Sequence, residues 1–278
     1  MRSAIHFDLL QSLSLCGTLS IPNDDRAGTN ARRAWIIDGA TDLSPPGLLG
    51  AQGGAAWLAA TADTAFATAD ADTLTDVCAQ VAATVEARYH AERRRKPAGA
   101  WERPRASFAA VQTAGDMLEL AWASDCSILH ATADTVTWRT PAPNRTRESA
   151  QAAALGPGVG AARLSTPAIL EDRRIARSRP GQRVLGIDAA ETMAILNLTR
   201  FDVSVGDELL LMTDGMVALV DSYCVHDAHS LFAAVRAQGL AALGTELRAI
   251  ENDDAACLRY PRFKVSDDAT ALWVRIGG

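Results

Sequence analysis

The sequence predicts an α+β fold in which antiparallel sheets form a sandwich with helices on its outside. Two observations carry this prediction. Strand-like segments occur at both ends and in the middle of the chain, whereas helix-like segments fall into two blocks. The middle strands follow one another through very short turns, which antiparallel neighbours allow and parallel ones do not. This order excludes a simple βαβ series and favours antiparallel sheets flanked by helices.

The chain starts with strand-like segments. Residues 4–20 alternate loosely between apolar and polar side chains, which predicts one or two strands. Residues 21–30 are rich in turn-forming residues and predict a loop. Residues 33–38 predict a buried strand, and Pro45 and Pro46 then block its continuation.

Two helices and a group of short strands follow. Residues 50–68 and 73–94 predict helices, the second because Val77, Val81 and Val85 recur on one face. Between residues 108 and 138 the pattern changes to short strands separated by turns. This middle block therefore predicts an antiparallel meander.

The C-terminal half repeats this mixture. Residues 146–183 predict irregular, basic helices, and residues 193–215 predict two strands joined at a glycine-containing turn. Helices are predicted over about 215–251, and a last strand from residue 270 to residue 276. Neither a change of composition nor a long linker interrupts the chain, so residues 1–278 are predicted to form one domain.

The overall composition limits the classes of partner. The chain has 278 residues, of which 48% are hydrophobic, so it can bury a sizeable core. Its net charge of −6 argues against duplex nucleic acid or an anionic membrane as a main partner. No apolar run approaches the roughly 18 residues that span a bilayer.

The cysteines and the N-terminus indicate a compartment. The five cysteines are odd in number, scattered, and never spaced as CxxC, which favours free thiols over a disulfide framework or a zinc site. Asp8 interrupts the first apolar stretch, which makes it a poor secretory signal. We therefore expect a cytoplasmic protein.

Three aspartates stand at the ends of predicted strands. Asp38 and Asp214 each follow an apolar run and precede a glycine, and Asp267 precedes the last strand. Two carboxylates ~4 Å apart repel by about 4 kcal/mol at an effective dielectric near 20. Hard divalent cations such as Mg²⁺ or Mn²⁺ relieve such repulsion through oxygen ligands. The alternative is that each aspartate only caps a turn or helix, as Asp214 would before residue 216.

Four ordered motifs can be recognised along the chain: NDDRAGTNARRAWIIDGATDL, ELAWASDCSILH, GDELLLMTDGM and SDDATALWVRI. In order and spacing they resemble the protein phosphatase 2C family of metal-dependent phosphatases, and the resemblance extends over about residues 15–276. The resemblance implies a four-layer α/β/β/α sandwich of two antiparallel sheets. It also implies a serine/threonine phosphoprotein phosphatase that hydrolyses phosphomonoesters with a metal-activated water.

The resemblance assigns roles to individual residues. Asp38 is expected to bridge two Mn²⁺ or Mg²⁺ ions, and the carbonyl of Gly39 to bind the second ion. Asp24 stands in place of the metal-binding glutamate of the Asn-Glu-Asp element, and Asp214 and Asp267 complete the ligands of the first ion. Asp38 and Asp214 are therefore the expected catalytic residues.

Asp125 corresponds to an aspartate that helps bind a third, weaker ion in bacterial members. The implied partners are phosphoproteins, and the implied cellular role is to oppose a serine/threonine kinase. Neither nucleic acid nor membrane is expected as a partner.

The sequence departs from the family at three positions. Ser20 stands where the family has its phosphate-binding arginine, Ala40 stands where some members have a histidine acid, and Asp24 is one methylene shorter than glutamate. A basic run lies in a segment, at about residues 146–183, where the family has a variable flap. We expect one of its arginines to bind the substrate phosphate; the candidates are Arg173, Arg174, Arg177 and Arg179.

These departures leave two alternatives to a protein phosphatase. One is a pseudophosphatase, a binding module that keeps the fold without turnover. The other is a phosphatase acting on a small metabolite, which the sequence does not separate from a protein phosphatase. Two further acidic or histidine-rich segments are interpreted structurally: Asp227 as a helix cap beside His226 and His229, and residues 251–257 as a solvated loop.

Overall fold

The computed structural model describes residues 5–161 and 166–278. Its elements alternate largely as the sequence predicts. The strands are β1 His6–Leu15, β2 Asp25–Thr29, β3 Arg33–Gly39, β4 Ala106–Ala114, β5 Met117–Ala123, β6 Ser127–Ala131, β7 Val136–Trp138, β8 Asn197–Asp202, β9 Glu208–Met212 and β10 Ala269–Gly277. The α-helices are α1 Gly54–Thr68, α2 Leu74–Glu92, α3 Thr146–Ala154, α4 Pro167–Ser178, α5 Ala189–Ala194, α6 Asp214–Asp221, α7 Ala228–Gln238 and α8 Leu240–Asp253.

The strands form two five-stranded antiparallel sheets. The first has the order β1-β10-β9-β6-β7 and the second β2-β3-β4-β5-β8. Apolar side chains fill the space between the two sheets, among them Ile36, Val111 and Leu211, all fully buried. Period-two alternation explains this core, since each strand sends every second side chain to the inner face.

Helices cover both outer faces. Trp57, Phe66 and Val81 of α1 and α2 pack on the second sheet, and Phe232 and Leu247 of α7 and α8 pack on the first. The order of layers is therefore helix, sheet, sheet, helix, which confirms the predicted α+β sandwich. No helix of the described residues is long and apolar enough to cross a membrane.

Two details of the strands differ from the prediction. Residues 21–30 were expected to be a loop, but Asp25–Thr29 forms β2 and pairs along its whole length with β3. Gly28 explains the misleading turn composition, because a side chain there would collide with the indole of Trp35. The middle strands are also not one meander: β5 lies in the second sheet and β6 in the first, so the chain changes sheet between Ala123 and Ser127.

The basic segment at residues 146–183 contains two helices, α3 and α4, and its residues 162–165 lie outside the described residues. Helix α4 begins with Pro167 in its first turn and ends before Pro180. The helical region predicted over about 215–251 is divided near residues 223 and 239, between α6 and α7 and between α7 and α8.

Candidate active site

The acidic strand ends meet at one edge of the sandwich. Asp38 ends β3 next to Asp25 of β2, its partner in the antiparallel pair. In the other sheet, β9 ends at Met212 and leads into α6, whose first residue is Asp214. The hydroxyl of Thr213 donates a hydrogen bond of 2.8 Å to the carboxylate of Asp25. This buried bond joins the two sheets directly beside the acids.

A second carboxylate joins the N-terminal segment to the start of β10. Asp268 accepts a hydrogen bond of 2.7 Å from the backbone N–H of Gly17 and another of 2.7 Å from that of Asp24. The carbonyl of Asp24 in turn accepts from the N–H of Gly39 at 3.1 Å. Asp268 therefore positions Asp24, a role that the sequence did not indicate.

The two glycines after the acids have a packing role. A side chain at Gly39 would lie 2.7 Å from the carbonyl oxygen of Asp24, and one at Gly215 would collide with the carbonyl oxygen of Asp268. Both glycines therefore let one backbone segment approach another. This requirement is independent of any use of their carbonyls as ligands.

The carboxyl groups of this edge are crowded. Burial, followed by the charges of Asp268 and Asp42, raises the pKa of Asp24 to about 8. Burial and then Asp125 and Asp267 raise the pKa of Asp38 well above its usual range. The cause in both cases is the cost of charging a desolvated group near other anions. In the metal-free protein these carboxyls therefore favour the protonated form.

Two cations that the sequence analysis missed lie among the acids. The ammonium of Lys264 contacts the carboxylate of Asp267 and donates a hydrogen bond of 2.7 Å to the hydroxyl of Thr41. The guanidinium of Arg145 contacts the carboxylate of Asp214. Burial alone would raise the pKa of Asp267, but Lys264 and Arg145 hold it below its ordinary value.

These two cations carried different signals in the sequence. Lys264 lies three residues before Asp267, so a K-x-x-D spacing beside the last acidic motif was visible. Arg145 is separated from Asp214 by most of the flap segment and two strands, and nothing local connects them. Only the tertiary structure brings that pair together.

A cavity of about 200 Å³ opens between these groups. The acids that line it are Asp38, Asp125, Glu148, Asp214 and Asp267, and Gly39 lines it as well. Asp24, only 9% exposed, does not line the cavity; it lies behind Gly39, whose N–H donates to its carbonyl. The structure thus brings five of the six expected metal-binding residues to one cavity.

The backbone directs Asp125 into this cavity. Ser124 adopts a left-handed conformation with φ of 68°, which turns the chain sharply after β5. The hydroxyl of Ser107 then accepts hydrogen bonds from the N–H groups of Asp125, at 2.9 Å, and Cys126, at 2.7 Å. These two hydrogen bonds stabilise the turn at which the chain changes sheet.

The four candidate arginines of α4 separate into two groups. Arg173 and Arg177 line the cavity, whereas Arg174 donates to the carbonyl of Leu43 at 2.7 Å and stacks on Trp101. Arg179 is exposed and lies at a neighbouring depression of the surface. Helical geometry explains the division, since residues four apart share a face and Arg174 points elsewhere.

Arg173 is the better placed of the two arginines in the cavity. Its guanidinium lies 3.5 Å from the ring centroid of Phe263, and its Nε and one terminal nitrogen are buried without a hydrogen-bond partner among the described residues. Burial is the main cause that lowers the pKa of Arg177 to about 10; Asp42 opposes this shift, and Arg105 and Arg173 add to it. Both guanidinium groups therefore line the cavity with the acids, and that of Arg173 has unused donors.

The other two interpretations have different outcomes. Asp227 caps α7, as interpreted, by accepting from the N–H of Ser230 at 2.7 Å, and His226 bonds to Glu246 at 2.9 Å. The solvated loop at residues 251–257 is wrong, because Asp254 is buried and accepts a bond from the guanidinium of Arg262 at 2.6 Å.

The donor set of the cavity fits a hard divalent cation by its chemistry. It offers carboxylates and a backbone carbonyl, the ligands that Mg²⁺ and Mn²⁺ prefer. Burial, and after it the neighbouring carboxylates, raise the pKa values of Asp24 and Asp38, and a bound cation would favour their charged forms. Within residues 5–161 and 166–278, no three histidine, cysteine, aspartate or glutamate side chains are grouped around one point as in a loaded metal site. Two of the acids instead contact cationic side chains: Asp267 contacts Lys264, and Asp214 contacts Arg145.

Three solved structures with the same arrangement of sheets and helices are described as serine/threonine phosphatases. The catalytic domain of PstP, described in complex with two manganese ions, is 16% identical, with 99% of each chain covered and a TM-score of 0.56. The Mycobacterium tuberculosis phosphatase PstP/Ppp is 18% identical over 99% of this chain and 100% of that one, with a TM-score of 0.58. The PPM phosphatase MsPP from Mycobacterium smegmatis, in complex with cacodylate, is 17% identical over 97% and 99%, with a TM-score of 0.54.

The chain has the fold of the PPM serine/threonine phosphatases. This confirms, at the level of fold, the resemblance to protein phosphatase 2C that the four motifs indicated. No protein-family model matches the chain, and no curated protein matches it significantly. The chain therefore shares the fold of these solved phosphatases at a sequence identity of only 16–18%.

Proposed function

We propose that this protein is a metal-dependent serine/threonine phosphoprotein phosphatase. The observation that carries the proposal is the cavity at the edge of a PPM-type sandwich, where acids from both sheets face two arginines of α4. Anionic groups on one side would hold cations, and guanidinium groups on the other side would hold a phosphate dianion.

The residues that would hold the metal are those the motifs indicated. Asp38, Asp214, Asp267 and the carbonyl of Gly39 would bind two ions, either Mn²⁺ or Mg²⁺, and Asp24 would contribute from its position behind Gly39. Asp125 would assist a third, weaker ion. When bound, such ions polarise a phosphoryl oxygen and activate water, so that no serine or cysteine nucleophile is needed.

The chain's own residues bind and orient the substrate. Arg173 supports the binding of phosphate in place of the arginine missing at Ser20, because its buried Nε and terminal nitrogen have unused donors. Phe263 beneath the guanidinium fixes its plane, which prepares the planar fork for two phosphate oxygens. Arg177 adds positive charge to the cavity. Arg174 and Arg179 do not line it, so we do not propose them as phosphate ligands.

We propose phosphoproteins as the substrates, with a serine/threonine kinase as the opposing enzyme. Residues of both helices of the flap segment line the cavity, and Arg179 lies at a neighbouring depression of the surface, where the rest of a phosphopeptide would have room. The five cysteines, all free, support a reducing compartment such as the cytoplasm.

The test is hydrolysis of p-nitrophenyl phosphate and of a phosphopeptide panel with Mn²⁺ or Mg²⁺ at about 1 mM, a concentration suited to weak carboxylate sites. We expect turnover with these ions, none with excess EDTA, and none for Asp38→Asn. Phosphosugars and nucleotides in the same assay distinguish a metabolite phosphatase. Well-folded protein without turnover on any of these substrates would instead identify a pseudophosphatase.

A further inference from the structure

Hydrogen bonds in the segment that precedes β10 fix the backbone around Lys264 at the edge of the cavity. Asp254, at the end of α8, accepts backbone hydrogen bonds from Leu258 and Arg259 at 2.9 and 3.0 Å. Arg262 bonds to the carboxylate of Asp254 at 2.6 Å and donates to the carbonyl of Val265 at 3.1 Å. The backbone on both sides of Lys264 is therefore fixed.

The ammonium group of Lys264 lies beside a carboxylate that could also bind a metal ion. It contacts the carboxylate of Asp267 and donates to Thr41, three residues after Asp38. The side chains of Lys264 and Asp267 are 28% and 27% exposed, so the pair is partly shielded from water. An ammonium donates hydrogen bonds to the same carboxylate oxygens that a divalent ion would coordinate, and one oxygen lone pair does not serve both.

We infer that Lys264 is an internal competitor for the divalent cation at Asp267. Its ammonium neutralises Asp267 in the metal-free centre and has to leave this carboxylate before an ion can bind there. This inference rests on the proposed function, since it concerns the metal of the same site. Metal loading at Asp267 is then an exchange of one cation for another, and the affinity is lower than that of the same acids without the lysine.

The competition predicts opposite effects of one substitution on two properties. Lys264→Met keeps the length and the apolar stem but removes the charge. Without the competitor, Mn²⁺ should bind at least about tenfold more tightly, a change of about 1.4 kcal/mol. Without its partner, Asp267 should destabilise the metal-free protein and lower its Tm.

The experiment is a calorimetric titration of metal-free protein with Mn²⁺, combined with thermal unfolding in EDTA. Lys96→Met is the matched control, because Lys96 is exposed and its substitution changes the net charge equally. Lys264→Arg keeps a cation at the site and should retain weak binding. Thr41→Ala removes the hydroxyl that accepts from Lys264, so it should alter binding in the direction of Lys264→Met even if that variant folds poorly.

The outcomes separate this inference from the proposed function. Wild-type protein that binds Mn²⁺ and hydrolyses phosphopeptide, with unchanged affinity and stoichiometry in Lys264→Met and Thr41→Ala, overturns the competition and leaves the phosphatase intact. Wild-type protein and variants that all fail to bind Mn²⁺ overturn both. Tighter binding in Lys264→Met but not in Lys96→Met supports the competition, whether or not turnover rises.

Discussion

Asp38→Asn should abolish turnover and at the same time stabilise the metal-free protein. Asp38 and Asp25 are direct partners in the β2–β3 pair, so their side chains begin only about 5 Å apart. Carboxylates about 5 Å apart would repel by about 3 kcal/mol at an effective dielectric near 20. Burial, and then the charges of Asp125 and Asp267, also make it costly to ionise Asp38. Asparagine keeps the volume and removes the charge.

The sign of the pH dependence follows from the raised pKa of Asp38. In the wild type, the folded state binds this proton more tightly than the unfolded state does. The stability of the metal-free protein should therefore fall as the pH rises from the ordinary pKa of aspartate toward the raised one. In Asp38→Asn one contributor to this loss is absent, and its stability curve should be flatter.

The assay is urea unfolding in EDTA at about pH 5.5, 7 and 8.5, which all lie above the ordinary pKa of aspartate, in the range where a carboxyl with a raised pKa loses its proton. The gain in stability of Asp38→Asn should be smallest at the lowest pH and reach about 1–3 kcal/mol at the highest, below the full repulsion because Lys264 and Arg145 offset part of it. Asp134→Asn, at an exposed turn, serves as control. A variant less stable than wild type at pH 8.5, or one that retains more than about a tenth of the turnover, would refute the reasoning.

Four further substitutions test the site and its support. Arg173→Ala should raise KM for phosphopeptide about tenfold, the loss of one contact near 1.4 kcal/mol. Arg174→Ala, on the other face of α4, should leave KM unchanged, and equal KM for both variants would contradict the assignment. Gly215→Ala should destabilise the protein by more than about 2 kcal/mol in urea unfolding, since its side chain would collide with backbone; wild-type stability would show that α6 can shift. Hydrogen bonds from backbone N–H groups and Arg262 outweigh burial and lower the pKa of Asp254 to about 2, so its stabilising effect should be lost as the pH falls from about 4 toward 2. Asp254→Asn should unfold at lower urea concentration at pH 7 and lose this acid-dependent part; a wild-type midpoint would be evidence against Asp254 as the anchor of the segment before β10.

The sequence by itself determined the class of fold and the place of the acids. Antiparallel strands require short turns and period-two alternation, and both are local properties that can be recognised along the chain. Asp38, Asp214 and Asp267 were recognisable because a carboxylate next to a buried strand contradicts local propensity. A contradiction of that kind indicates that something beyond local structure accounts for the residue.

The tertiary structure decided everything that depends on which segments meet. The turn composition of β2 concealed a strand, because Gly28 is required by the indole of Trp35 on the neighbouring strand. The separation of Arg173 from Arg174 depended on the orientation of α4. The approach of Arg145 to Asp214 and of Lys264 to Thr41 depended on contacts between distant segments. Electrostatic partners are chosen by distance in space, and sequence separation does not constrain that distance once the chain folds back between two sheets.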